Sequence, residues 1–215
     1  MRGISRSAKV ALGCLAAFVV LTLALIGGPL PQLDLHVRHW AVTHQDPGIR
    51  RIASDAVWLG DIRVAGSLLL AVALLVAWRA RNWRALLLPL GLAALLAGIV
   101  TGLKIVIGRA DASYSPNADL GVGARGYPSG HVAAAAVCFG LSATLLAASF
   151  PRLRPWVVVV ATAATVLTAA SMIYGPAHWF TDTVGSAVLV GAALGAFHTL
   201  DGPGLSRCRR RRWQA

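Results

Sequence analysis

Six long runs of apolar residues, separated by short stretches that hold nearly all the charge, organise this chain. They fall at about 9–29, 63–78, 85–104, 130–150, 156–176 and 181–199. Each is near the roughly 20 residues an α-helix needs to cross the hydrocarbon core of a bilayer. None of the longest shows the polar stripe that a helix of a soluble domain turns to water. The pattern therefore predicts an all-α, polytopic membrane protein, a bundle of six transmembrane helices, and not a soluble Ala-rich domain. The second run has the most polar entrance, at Asp61 and Arg63. Segment 32–51, PQLDLHVRHWAVTHQDPGIR, is too polar to span. Its Leu33, Leu35, Val37, Trp40 and Val42 predict a short helix lying in the outer interface, with His36, His39 and His44 solvated there and not arranged as metal ligands. With no internal repeat and no low-complexity linker, residues 1–215 are read as a single membrane domain ending in a basic tail, 201–215.

Composition agrees with this pattern. The 215 residues are 57% hydrophobic and only 13% charged, against about 25% charged in an ordinary soluble domain. The 20 Lys and Arg outnumber 8 acids, all of them Asp, for a formal net charge of +12. Such an excess can signal nucleic acid, but the topology accounts for it. With the N-terminus in the cytoplasm, 13 basic residues fall on the inside: Arg2, Arg6, Lys9, Arg79, Arg81, Arg84, Arg152, Arg154, Arg207, Arg209, Arg210, Arg211 and Arg212. The other seven, Arg38, Arg50, Arg51, Arg63, Lys104, Arg109 and Arg125, fall outside, together with every Asp except Asp201. Charge cancels outside and remains strongly positive inside, which is the positive-inside signature of an N-in, C-in protein. The tail RCRRRRW is then a topology anchor that touches anionic lipid, and no nucleic-acid partner is expected.

MRGISRSAK resembles the n-region of a signal peptide, but the apolar core continues to GGPLP without a small-x-small exit. An uncleaved anchor is expected. Cys14, Cys138 and Cys208 show neither metal-ligand nor disulfide spacing. The Ala, Leu, Val, Gly and Arg richness fits a GC-rich bacterial genome, which points to a bacterial plasma membrane.

The reactive side chains gather at the outer ends of the third to sixth runs. Ionisable groups at membrane depth are costly and mark function. Lys104 ends the third run and is followed by IVIGRADASYSP. In YPSGH, residues 127–131, Pro128 stops any preceding helix and Ser129 is an N-cap. Gly130 permits close backbone approach, and His131 falls in the first helical turn. Such a turn attracts anions through its free N–H groups and dipole, and a His there can protonate a leaving oxygen. Taken alone, it is equally a helix cap with an interfacial His. In HWFTD, a helix beginning near His178 would place His178 and Asp182 on one face, so that the carboxylate fixes the imidazole tautomer and leaves the other nitrogen nucleophilic. Alone, this too reads as a cap, by Thr181 or Asp182.

Together the three clusters resemble the PAP2 superfamily, the type 2 phosphatidic acid phosphatase or lipid phosphate phosphatase group. Its signature is Lys, six residues, Arg-Pro; then Pro-Ser-Gly-His; then Ser-Arg, five residues, His, three residues, Asp. This chain has Lys104, the complete Pro128-Ser129-Gly130-His131, and Ser171 followed by His178 and Asp182 at the required spacing, over about residues 60–200. The resemblance implies a phosphatase acting on a lipid phosphate or diphosphate outside the cytoplasm, with no metal and no cofactor. His178 would be the nucleophile, Asp182 its orienting acid and His131 the general acid. Lys104, Ser129 and Gly130 would hold the phosphate. Two positions depart from the signature: Asp111-Ala112 stands for Arg-Pro, and Met172 for the arginine of the third motif. Arginine grips phosphate through two charge-assisted bonds that Met cannot mimic, each worth roughly 1.5–3 kcal/mol. Arg109 and Arg125 are the candidates to compensate. The losses also leave open a non-catalytic or substrate-altered protein that binds or moves a lipid phosphate. Polyprenyl diphosphate, phosphatidylglycerol phosphate and phosphatidate all fit.

Overall fold

A computed structural model describes residues 4–113, 120 and 124–210, with side chains through 199. Its helices are α1 (Arg6–Gly27), α2 (Leu30–Thr43), α3 (Pro47–Ala56), α4 (Ile62–Ala80), α5 (Arg84–Ile107), α6 (Gly130–Ser149), α7 (Arg154–Tyr174) and α8 (Phe180–Arg210). Short 3₁₀ turns at Val57–Gly60 and Pro151–Leu153 lead into α4 and α7. Helices α1, α4, α5, α6, α7 and the part of α8 through Thr199 are each long and apolar enough to cross a membrane. The six runs read from the sequence lie within these helices to a few residues at either end.

Local chemistry sets the boundaries. Ser5, Asp46, Asp61 and Ser129 each accept a backbone N–H from the first turn that follows them, which satisfies donors that a helix start leaves orphaned. At the other end of α5, Gly108 adopts φ 60° and returns its N–H to the Lys104 carbonyl. That left-handed turn suits glycine, and it swings the next residue, Arg109, into the protein.

Helix α6 is the hub, packed against α4, α5, α7 and α8. Its alanines and Ser142 are mostly buried, and small side chains allow the close backbone approach that membrane helices use in place of a hydrophobic drive. Helix α1 packs mainly along α8. There Gly191 and Gly195, one turn apart, face Cys14 and Ala11 so closely that a Cβ on Gly195 would lie 2.9 Å from the Ala11 nitrogen. The outer flanks of α1, α4, α5 and α7 expose Val20, Leu23, Leu74, Leu87, Val159 and Val166, as lipid-facing surfaces do.

Segment 32–51 differs from expectation. It forms two helices, because Asp46-Pro47 ends one and starts the next: Asp46 caps α3 and Pro47 occupies its first turn. Leu33, Leu35, Trp40 and Val42 are exposed, while Asp34 and Ala41 are buried. Helix α2 contacts α7 and α8, and the side that is least exposed carries Asp34, Arg38 and Ala41. At the C-terminus, helix α8 continues to Arg210, into what the sequence suggests is a separate tail. Arg2, most of the loop between Ser113 and Ala124, and residues 211–215 with Arg211 and Arg212 lie outside the described residues.

Candidate active site

The C-terminal end of α5 and the N-terminal ends of α6 and α8 meet at one end of the bundle, roofed by α2. The Ser129 N–H donates to the Asp182 carbonyl at 3.2 Å. The Ser186 hydroxyl donates to the Ser129 and Asp182 carbonyls, both at 2.8 Å. These bonds lock PSGH to the start of α8.

Helix α8 begins at Phe180, so His178 precedes it and does not share a helical face with Asp182. The Asp182 carboxylate reaches back instead. Oδ2 accepts the Trp179 N–H at 3.0 Å and faces His178 Nδ1 at 3.2 Å, so one oxygen caps the helix and holds the imidazole. Asp182 thus caps the helix, as one sequence reading expected, and also reaches His178, without the shared helical face that the other assumed. The His178 side chain is 10% exposed and Asp182 is fully buried. The N–H of His178 and that of Ala177 donate to the Met172 carbonyl at 3.1 and 2.9 Å. Met172 thereby shapes the loop that carries His178 through its backbone, and its side chain is buried at 3% exposure.

His131 lies in the first turn of α6, within electrostatic range of His178, Lys104 and Asp61. Gly60 packs beneath it so closely that a Cβ there would sit 2.8 Å from the His131 carbonyl oxygen. Asp61 accepts two hydrogen bonds from the Arg63 guanidinium, at 3.1 and 2.9 Å. These bonds, with the Arg63 backbone N–H, pull its carboxyl down to about 2. An ionised carboxylate therefore faces His131 at any physiological pH. Lys104 passes beside Gly130, with Cε 3.9 Å from where a Cβ would be, and its Nζ donates to the Arg125 carbonyl at 2.6 Å. Ser129 is wholly buried, and its hydroxyl oxygen accepts the Val132 N–H at 3.4 Å.

The two candidate arginines are placed differently from each other. The Arg125 side chain is exposed, and its link to the site is through its backbone. Arg109 is 0% exposed. Its Nη1 donates to Asp182 Oδ1 at 2.5 Å and to the Thr181 hydroxyl at 2.7 Å, and its Nη2 donates to Asp34 Oδ2. The two ends of the guanidinium are engaged by carboxylates, while Nε is buried with no hydrogen-bond partner among the described residues. Asp111, at the expected arginine position, accepts the Ser113 N–H at 2.9 Å and lies within electrostatic range of Lys104. Asp34 and Arg38 are the residues that sequence reasoning missed. Both lie on the docked face of α2, one helical turn apart, and Arg38 sits over the Trp179 ring at 5.1 Å from its centroid. The available signal was an Asp inside a segment otherwise suited to an interface; nothing local named its partner.

The model of the PAP2 superfamily matches residues 86–203, more than half of the chain. This chain belongs to the PAP2 superfamily. Among solved structures it is similar to a transmembrane PAP2 type phosphatidylglycerolphosphate phosphatase from Bacillus subtilis, at 21% identity and a TM-score of 0.81, covering 91% of this chain and 98% of that one. No curated protein matches significantly. The PAP2 match begins inside α5, so α2, with Asp34 and Arg38, lies outside it, as does Asp61.

Proposed function

We propose that this PAP2 protein is a multi-pass membrane phosphatase that hydrolyses a lipid phosphate or diphosphate on the extracytoplasmic side of a bacterial plasma membrane. The observation that carries the reading is the His178–Asp182 pair at 3.2 Å, with His131 close enough to feel its charge. Asp182 accepts the Nδ1 proton, so Nε2 carries the lone pair. Nε2 attacks phosphorus, the bond from phosphorus to the lipid oxygen breaks, and His131 gives that oxygen its proton. His131 then takes a proton from water, whose oxygen attacks the phosphohistidine and frees phosphate together with His178. Lys104 and the first-turn amides of α6, led by Gly130, stabilise the phosphoryl oxygens. Ser129 contributes mainly by capping that turn. The positive-inside charge pattern supports the outward-facing site.

A second reading, a non-catalytic or substrate-altered binder, is favoured by Asp111 and Met172 at the arginine positions and by the engagement of Arg109 with Asp34 and Asp182. Phosphate release by the purified protein in detergent separates the two. The substrates are polyprenyl diphosphate, phosphatidylglycerol phosphate and phosphatidate. Turnover of any of them that is lost in His178→Ala supports the enzyme. Binding without turnover of all three supports the alternative.

Met172 offers a sharper probe. Met172→Arg puts a cation into a buried position beside the nucleophile loop, where an unpaired charge costs several kcal/mol. The melting midpoint should fall without phosphate and recover markedly in orthovanadate, a phosphate mimic, relative to wild type. Equal vanadate responses in the two proteins would place this side chain away from the phosphate.

A further inference from the structure

We propose that Asp34 is a positioning residue for the nucleophile: acting through Arg109 and Thr181, it keeps the Asp182 carboxylate on His178 and leaves the cluster one net negative charge. The proposal rests on the phosphatase reading for its consequence in turnover, but its electrostatic content stands apart from it.

The hydrogen bonds divide the labour atom by atom. Asp34 Oδ1 accepts the Thr181 N–H at 2.9 Å, and Oδ2 accepts the Thr181 hydroxyl at 2.6 Å and Arg109 Nη2. Arg109 Nη1 is then left to Asp182 Oδ1, at 2.5 Å, while Asp182 Oδ2 serves the Trp179 N–H and His178. Each fork of the guanidinium has its own carboxylate. Without Asp34, both forks would be free to grip Asp182, drawing Oδ2 off the imidazole and cancelling its charge. All three ionised side chains are fully buried. A buried ion network is weak grounds for stability, since apolar packing of the same volume often does as well. Its chemical effect is the more telling one. Two carboxylates and one guanidinium carry one negative charge, which matches the positive charge that the His178 ring gains when Nε2 bonds to phosphorus with Nδ1–H retained.

Among the described residues, the other titratable or charged groups around this cluster are Lys104 from α5, Tyr127 just before α6, His131 from α6, and Arg38, which shares the α2 face with Asp34; Asp111 acts on Lys104 and Asp61 on His131. The Arg109 hydrogen bonds go to Asp34, Thr181 and Asp182. Removing the charge of Asp34 should therefore reach His178 through Arg109, whose charge Asp182 would then neutralise alone.

The test is the pH dependence of His178 carbethoxylation by diethyl pyrocarbonate, which modifies neutral imidazole, read by peptide mass spectrometry on the full chain in detergent. Phosphate release is measured in parallel. In Asp34→Asn the modification midpoint should move down, because Asp182 then faces His178 with its charge neutralised by Arg109. The kcat should fall about tenfold, as for partners that orient a first-contact group, with little change in KM. Asp34→Glu should restore the midpoint. If Asn is not accommodated, Asp34→Ser carries the same prediction. An unchanged midpoint in a folded neutral variant overturns the proposal. A wild-type protein that turns over none of the lipids overturns the phosphatase reading instead, and a shifted midpoint would still support the coupling of Asp34 to His178.

Discussion

His178→Ala should reduce phosphate release by about 10⁴- to 10⁶-fold, the range seen when a nucleophile that acts as part of a unit is removed. The protein should stay folded. His178 is at the edge of its cluster with a 10% exposed side chain, and the 3.2 Å contact to Asp182 is its one side-chain hydrogen bond among the described residues. Asp182 keeps the Trp179 N–H and Arg109 as partners when the imidazole goes. Asp182→Ala should be worse tolerated, because it also uncaps α8 and deprives Arg109 of a carboxylate. The informative comparison is thus His178→Ala, judged by phosphate release beside its melting curve. Activity within tenfold of wild type in a folded variant would move the nucleophile elsewhere.

The largest expected effect on stability belongs to Arg109→Ala. It leaves the Asp34 and Asp182 carboxylates buried near each other with no cation between them. Breaking a buried pair by removing one partner costs about 3–5 kcal/mol, and for a chain of this length that lowers the melting midpoint by about 10 °C. Arg125→Ala, at an exposed side chain, should stay within about 0.5 kcal/mol of wild type. The pair of variants, melted in the same detergent, separates an arginine that braces the site from one that decorates it. Equal melting of the two would contradict the bracing role.

Much of this molecule is legible in its sequence, for identifiable reasons. A bilayer imposes helix length and apolarity on a span, so all six spans could be read from composition along the chain. PSGH and His-x-x-x-Asp could be read because a cap, a glycine and a nearby ionisable group are local. Asp34 could not. Its partner Thr181 is 147 positions away, and its meaning depends on which face of α2 turns inward. The apolar residues Leu33, Leu35, Trp40 and Val42 pointed to the membrane interface and are exposed, but they said nothing of the opposite side of α2, where Asp34 and Ala41 are buried. Arg109 was legible as a charge near phosphate chemistry. Its direction was set by the left-handed turn at Gly108, and its role by an aspartate that no local pattern connects to it. The absence of arginine at 111 and 172 was visible at once. That the Arg109 guanidinium goes to Asp34 and Asp182 could be learned only from the structure.

The central claim is a phosphoryl group carried on His178, and trapping it is the most direct measurement. His131→Asn, which slows the hydrolysis step, is incubated with a ³²P-labelled lipid phosphate, quenched in alkali and digested. The account predicts an alkali-stable, acid-labile label on the peptide containing His178, absent in His178→Ala. A preparation that turns the lipid over but carries no such label, or carries it on another residue, would contradict it.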